Sequence, residues 1–247
     1  MASRSAALTI AFFALMSIPA RAFACGASSG GVAGVSACSL SEHEEETRSK
    51  WRVGASYSFT STAIRFDGNT KPEEQRDGVA ISVAYRPSLR WTLEAGAGPL
   101  FGGHLRFAQA TYDFRPGLLT TLGASYRILD ALDARPFVLF TGQAAFVAAS
   151  TRDPLSSQST AYDALDIRLG AVAGWTIWNV FSPYGLVRAF GGPVYWTYQG
   201  RSVTGTDTHH YQVGLGGSVL IARRIDVFVE GVPLGEQAIS AGAGVSF

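Results

Sequence analysis

The chain has 247 residues with 20 Lys+Arg against 19 Asp+Glu, a formal net charge of +1, so no basic excess points to a nucleic-acid partner. Only 16% of the residues are charged, while 12% are aromatic and 28 are glycine; this balance suits a sheet that meets something apolar on its outer face. The length admits one large all-β domain or two small ones.

The first segment reads as a secretory signal over residues 1–24. Arg4 supplies the positive start, Ala6 to Ile18 is an apolar run, Pro19 breaks it, and Ala22-Phe23-Ala24 offers a small-residue cleavage site. Residues 25–50 are Gly/Ser-rich and then acidic, without apolar periodicity, which predicts a flexible lead segment. In the oxidising compartment that a signal implies, Cys25 and Cys38 are expected to form one local disulfide, with lipid attachment at Cys25 as the alternative. No metal site and no cofactor is expected: the Glu44–Glu46 run beside His43 reads as a solvated charge run.

From Trp51 onward the pattern changes. In "WRVGASYSFTST", Val53, Ala55, Tyr57 and Phe59 share one face while Arg52, Gly54, Ser56 and Ser58 share the other. The same period of two recurs in "VAISVAYR", "WTLEAGAG", "LDIRLGAVAGWTIW", "YQVGLGGSVLIA" and "IDVFVEG". Alternation repeated in this way predicts half-buried strands, about ten of them (eight and twelve being the neighbouring even counts), with starts near Trp51, Gly78, Arg90, Pro116, Pro136, Ala164, Tyr184, Tyr211, Ile225 and Gln237. Long polar connections such as "DGNTKPEEQRDG" and "GRSVTGTDTHH" alternate with tight ones such as "RPSLR" and "ARRI". The predicted fold over 51–247 is therefore all-β, a transmembrane up-and-down antiparallel β-barrel with both ends of the barrel segment on the short-turn side. The uncharged run Leu169–Val187 is long enough for a membrane helix, but its glycines and Pro183 oppose one and predict a turn between two strands.

The polar faces decide between a membrane barrel and a soluble sandwich. They carry mostly Gly, Ser, Ala and Thr rather than Lys and Glu, with isolated charges at Arg52, Arg86, Glu94, Arg127, Asp166, Arg168, Arg188 and Glu230. Such a face fits a confined interior, in which those charges are expected to pair as a network or to line a narrow pore. The apolar faces then meet lipid. Aromatic girdles are expected at Trp51, Tyr85, Trp91, Tyr126, Trp178, Tyr184 and Phe247 near the short turns, and at Phe66, Phe107, Tyr162, Tyr195, Trp196, Tyr198 and Tyr211 near the long loops.

The last strand, "AISAGAGVSF", ends on Phe247 with Val245 two residues before it and Gly242 five before it. It resembles the terminal strand signal of bacterial outer-membrane β-barrel proteins, and the resemblance implies an outer-membrane location, periplasmic termini, and lipid and the barrel assembly machinery as partners of a monomer. The strand count also resembles that of the outer-membrane omptin proteases, whose longer loops and acidic active-site set this sequence does not show.

One cluster bears on chemistry. In "GTDTHHYQ", Asp207, His209 and His210 lie in a predicted outer loop, where a metal or an activated water is conceivable, but adjacent histidines on an extended chain point to opposite faces. A polar loop tip is the simpler reading. The expected function is a plugged structural or surface-interaction barrel, with a narrow solute channel and a surface hydrolase as alternatives.

Overall fold

The computed structural model of the chain describes residues 25–28, 35–38, 50–66, 71–107, 110–129, 136–153, 158–178, 180–222 and 224–247. The predicted signal over 1–24 and the acidic run near His43 lie outside them. Within the predicted lead segment, β1 (Cys25–Ser28) and β2 (Val35–Cys38) pair antiparallel, and the register sets Cys25 opposite Cys38.

Twelve further strands form one antiparallel sheet: β3 (Trp51–Phe66), β4 (Glu73–Tyr85), β5 (Trp91–Arg106), β6 (Thr111–Leu129), β7 (Phe137–Arg152), β8 (Ser159–Gly174), β9 (Phe181–Gly191), β10 (Pro193–Tyr198), β11 (Arg201–Asp207), β12 (Tyr211–Ile221), β13 (Ile225–Gly235) and β14 (Gln237–Ser246). Because β3 pairs with β4 along one edge and with β14 along the other, the sheet closes on itself. Closure leaves no open edge to face hydrocarbon, where each unpaired backbone group costs several kcal/mol. Ten strands run the full ring. β10 and β11 form an added hairpin that continues β9 upward, pairing with β8 on one side and β3 on the other. The run Leu169–Val187 falls on β8, a turn and β9, as its glycines and proline predict.

Two of the predicted loops are largely strand. Glu73–Asp77 belongs to β4 and Arg201–Asp207 is β11. The wall therefore stands taller than the sequence suggested on the β3–β8 side, and β10–β11 raises it above the short strands β12, β13 and β14.

The two faces of this wall exchange character with height. In the lower part, nearest Trp51 and Phe247, the outward residues are apolar: Val79, Ile81, Val83 and Tyr85 on β4, and Trp91, Leu93, Ala95, Ala97 and Phe101 on β5. From Trp91 to Phe101 the wall rises roughly 26 Å, taking ~3.4 Å per residue and a tilt of ~40°, close to the ~25 Å apolar band of membrane barrels. Inside the same zone the residues of these two strands are small or polar, among them Ala80, Ser82, Ala84, Thr92 and Glu94. Higher up, the outward residues on β4 become Asp77, Gln75 and Glu73, and those on β6 become Arg115, Asp113 and Thr111, while the inward ones become Ile64, Phe66, Tyr112 and Phe114. The cause is the solvent. Within lipid an apolar outside is stable, whereas above it water surrounds the wall and the ordinary rule of apolar inside, polar outside returns. The upper part is thus a collar with its own hydrophobic core.

Candidate functional site

The collar core is built from aromatics on five different strands or their ends. Trp196 on β10 is 2% exposed, sits 5.6 Å from Phe66 and 5.1 Å from Tyr112 between ring centres, and stacks on Phe107. Its indole Nε1 donates to Thr151 Oγ1 at 2.8 Å. Tyr162 meets Phe114 edge-on at 4.8 Å, and Ile64, Leu105 and Val194 complete the cluster. Phe66, Phe107, Tyr162, Trp196 and Tyr198, expected in an outer girdle, are therefore core or packed against it, and so is Tyr184 lower down, which is buried. Strand parity holds these side chains on the inside, and above the lipid band apolar groups belong there. Tyr195 and Tyr211 do face outward, as do Trp51, Trp91, Trp178 and Phe247.

Beneath the collar core the interior is polar and cross-linked. Tyr162 OH donates to Glu74 Oε1 at 2.7 Å, and Arg76 Nε lies 2.9 Å from the same oxygen. Arg168 on β8 pairs with Asp166 two residues away and with Glu236 at 2.9 Å, and its guanidinium lies 5.2 Å from the centre of the Phe190 ring. Gln212 Nε2 donates to Glu236 Oε2 at 3.0 Å. Glu74, Arg76, Asp166, Arg168, Asp207 and Glu236 line a cavity of about 50 Å³. Such a volume has room for a few waters.

Further round the ring Arg188 on β9 donates through both Nη1 and Nη2 to Glu230 Oε1, each at 3.1 Å, while Tyr184 OH donates to Glu230 Oε2 at 3.3 Å. Phe137, Leu139, Val172, Leu186 and Val232 pack around Tyr184. Near the lower end Arg52 makes a two-pronged pair with Asp226, Nε to Oδ1 at 2.8 Å and Nη2 to Oδ2 at 2.6 Å. Glu94 and Arg127 are buried on the inner side of β5 and β6, and Arg86 stands at the lower rim beside Arg52. Asp226 and Glu230, both taken from water, are each matched by an arginine that donates twice, the geometry that offsets desolvation best.

A glycine makes the lowest pair possible. A Cβ added at Gly244 would fall 2.4 Å from the Arg52 guanidinium, which lies flat across that position. Gly244→Ala is therefore expected to displace Arg52 from Asp226 and to lower unfolding stability by about 1–3 kcal/mol, read from urea titration of the folded barrel in lipid vesicles.

Of the eight sequence-predicted interior charges, the structure joins Asp166 to Arg168, Arg188 to Glu230, and Arg52 to Asp226. Glu74, Arg76, Gln212, Asp226 and Glu236 were not among them. Asp226 lies on the polar face of a recognised strand, but Glu74 and Arg76 sat in a stretch read as loop, and Glu236 is the lone residue of the turn between β13 and β14. At the chain end Trp51 and Phe247 exchange backbone hydrogen bonds of 3.1 and 2.9 Å, Val245 faces outward, and Gly242 lies against the Phe228 ring.

No protein-family profile and no curated protein matches the chain. Solved structures do. The outer membrane protease OmpT of Escherichia coli superposes with a TM-score of 0.53 at 11% identity, covering 83% of this chain and 99% of that one. The outer membrane protein OprG of Pseudomonas aeruginosa matches with a TM-score of 0.45 at 12% identity, over 81% of this chain and 97% of that one. This chain has the fold of the bacterial outer-membrane β-barrel proteins.

Within that outer-membrane barrel fold the expected loop keeps only Thr208, His209 and His210, between β11 and β12. Asp207 ends β11, opposite Ile64, and accepts from Thr62 Oγ1 at 3.3 Å while lining the inner cavity. His209 and His210 are exposed; His209 meets Tyr211 edge-on at 6.3 Å, and His210 Nδ1 lies 3.2 Å from the Phe190 carbonyl oxygen. Among the described residues no three His, Cys, Asp or Glu side chains are placed to hold a metal ion. Burial first, and then the neighbouring carboxylates of Glu236, Asp166 and Glu74, push the Asp207 carboxyl up to about 7. An unfolded aspartate releases its proton near ~4, so between those values the folded chain holds a proton that the unfolded chain has lost. Stability contributed by this group is thus complete at low pH and declines as pH rises to about 7. Asp207→Asn is expected to flatten that decline, which paired urea titrations of the two proteins at pH 5 and pH 8 will show.

Proposed function

We propose that the chain is an integral barrel of the bacterial outer membrane whose lumen is closed, and that it serves as a membrane-embedded scaffold presenting its collar at the cell surface. The aromatic core inside the collar carries this reading: Trp196, Tyr162, Phe66 and Tyr112 meet across the bore at van der Waals range, leaving the upper end packed like a protein interior. The lower end, with Trp51 and Phe247, is read as periplasmic, and the polar outer faces of β4, β6 and β10–β11 as the surface that other molecules meet. Lipid and the barrel assembly machinery are the partners of a monomer in this reading, and the facing Cys25 and Cys38 form one disulfide. The role is read as non-catalytic.

Planar-bilayer recording tests the closure. The purified protein is expected to show no ion conductance at any voltage up to bilayer rupture; discrete, reproducible conductance steps would instead make it a narrow channel for small solutes. A Trp196→Ala variant recorded in parallel reports whether the collar core is the barrier.

A further inference from the structure

The lower half of the lumen has two unlike walls. Along β7, β8, β9 and β13 large inward side chains occupy the bore, among them Leu139, Val172, Tyr184, Leu186 and Phe228. Along β4, β5 and β6 most inward residues are short, Ser82, Ala84, Thr92, Gly96, Gly123 and Ser125, with Glu94 and Arg127 as the long exceptions. Short side chains on the wall of a wide, water-filled bore would be reached by solvent, yet Ser82, Thr92 and Ser125 are only 5%, 7% and 4% exposed. Something stands in front of them.

The backbone shows what is close enough to do so. β1 approaches β9, β12 and β13, while β2 approaches β5 and β6. In the ring order, β5 and β6 face β9, β12 and β13 across the bore. A two-stranded hairpin whose strands reach facing walls of a closed cylinder lies across the inside of that cylinder. The upper bore is taken by the collar core, so the lower half is what remains. A backbone ribbon approaches another most closely where side chains are small, as on β5 and β6 and on the Gly214, Gly216 and Ser218 face of β12.

We propose that the small-residue wall of β5 and β6 is a docking surface whose occupant is the chain's own N-terminal hairpin β1–β2, lodged in the lower lumen. This stands apart from the functional reading above, because the collar core closes the upper end by itself and either closure can fail without the other. The hairpin brings its own paired backbone, so its docking leaves few unsatisfied polar groups inside the barrel.

Solution NMR of the purified, deuterated chain in detergent micelles tests the docking. Deleting residues 25–38 is expected to shift the amide resonances of β5 and β6 on one wall and of β9, β12 and β13 on the other, while leaving those of β10 and β11 in place. Shifts confined to the neighbourhood of Lys50 would overturn the proposal. Should the deleted chain fail to fold, the intact chain decides: on adding a water-soluble gadolinium chelate, the amides of 25–28 and 35–38 are expected to keep their intensity while Gln199 and Gly200 at the collar tip lose theirs. Equal loss at both places would show the hairpin in open water and end the proposal.

Discussion

Trp196→Ala is expected to cost about 3–5 kcal/mol of unfolding stability, the range for removing a large aromatic from a packed core. The residue is 2% exposed and touches Phe66, Phe107, Tyr112 and Tyr198 at once, so its loss leaves a hole that four rigid rings cannot close by small movements. Thr151 keeps a partner in Thr160 at 2.8 Å, so the penalty comes from the cavity rather than from an abandoned hydroxyl. Urea titration in lipid vesicles measures it. Thr204→Ala on the neighbouring β11, where the side chain is exposed, is the control and should move stability by no more than ~0.5 kcal/mol. If both variants unfold alike, the collar has no core of its own and Trp196 does not hold the upper bore shut.

The second large effect concerns the ion pair between β9 and β13. Arg188→Leu removes both donors from Glu230 Oε1 and leaves a carboxylate that is 1% exposed with, among the described residues, the Tyr184 hydroxyl as its donor. Stranding one member of a buried pair costs about 3–5 kcal/mol, whereas replacing both members with apolar groups of similar size is often neutral. The double variant Arg188→Leu/Glu230→Leu should therefore recover most of what the single variant loses. That recovery is the informative result, because it separates an uncompensated charge from a lost contact. Equal losses for the single and the double variant would mean that the barrel needs the polar pair itself, as a pore lining does.

How far such features can be read from sequence depends on what competes with strand period. The ring of ten strands was legible because lipid outside and a polar interior make opposite demands on alternate residues, and the alternation runs through β3, β4, β8, β12 and β13 with little interruption. The collar was not legible for the same reason. Ile64 and Phe66 lie on the face that further down β3 carries Arg52, Gly54 and Ser58, so hydrophobicity changed sides while the backbone did not. Judged by closeness to a loop, Phe66 and Trp196 look like girdle residues; judged by parity they belong inside.

β5 hides the change further. Leu105 is buried on the parity that faces lipid lower down, because the β4–β5 register slips by one residue between Leu100 and Gly102, opposite Gly78 and Asp77, just before Gly103 at φ +128°. No amount of period counting reveals a bulge in advance. The interior pairs were half legible: a charge on a polar face announces itself, as at Arg52 and Arg188, but its partner is fixed by ring order. Arg52 and Asp226 lie 174 residues apart and meet only because β14 closes onto β3.

The exchange of faces with height is the claim on which closure, collar and orientation all rest, and a nitroxide scan along the outward positions of β4 tests it most directly. Single labels at 85, 83, 81, 79, 77, 75 and 73, with the protein in lipid bilayers, report collision with oxygen, which concentrates in hydrocarbon, and with a nickel chelate, which stays in water. Labels at Tyr85, Val83, Ile81 and Val79 are predicted to favour oxygen, and labels at Asp77, Gln75 and Glu73 to favour nickel, with one crossing between 79 and 77. Oxygen preference continuing to 73, or nickel preference throughout, would contradict the account.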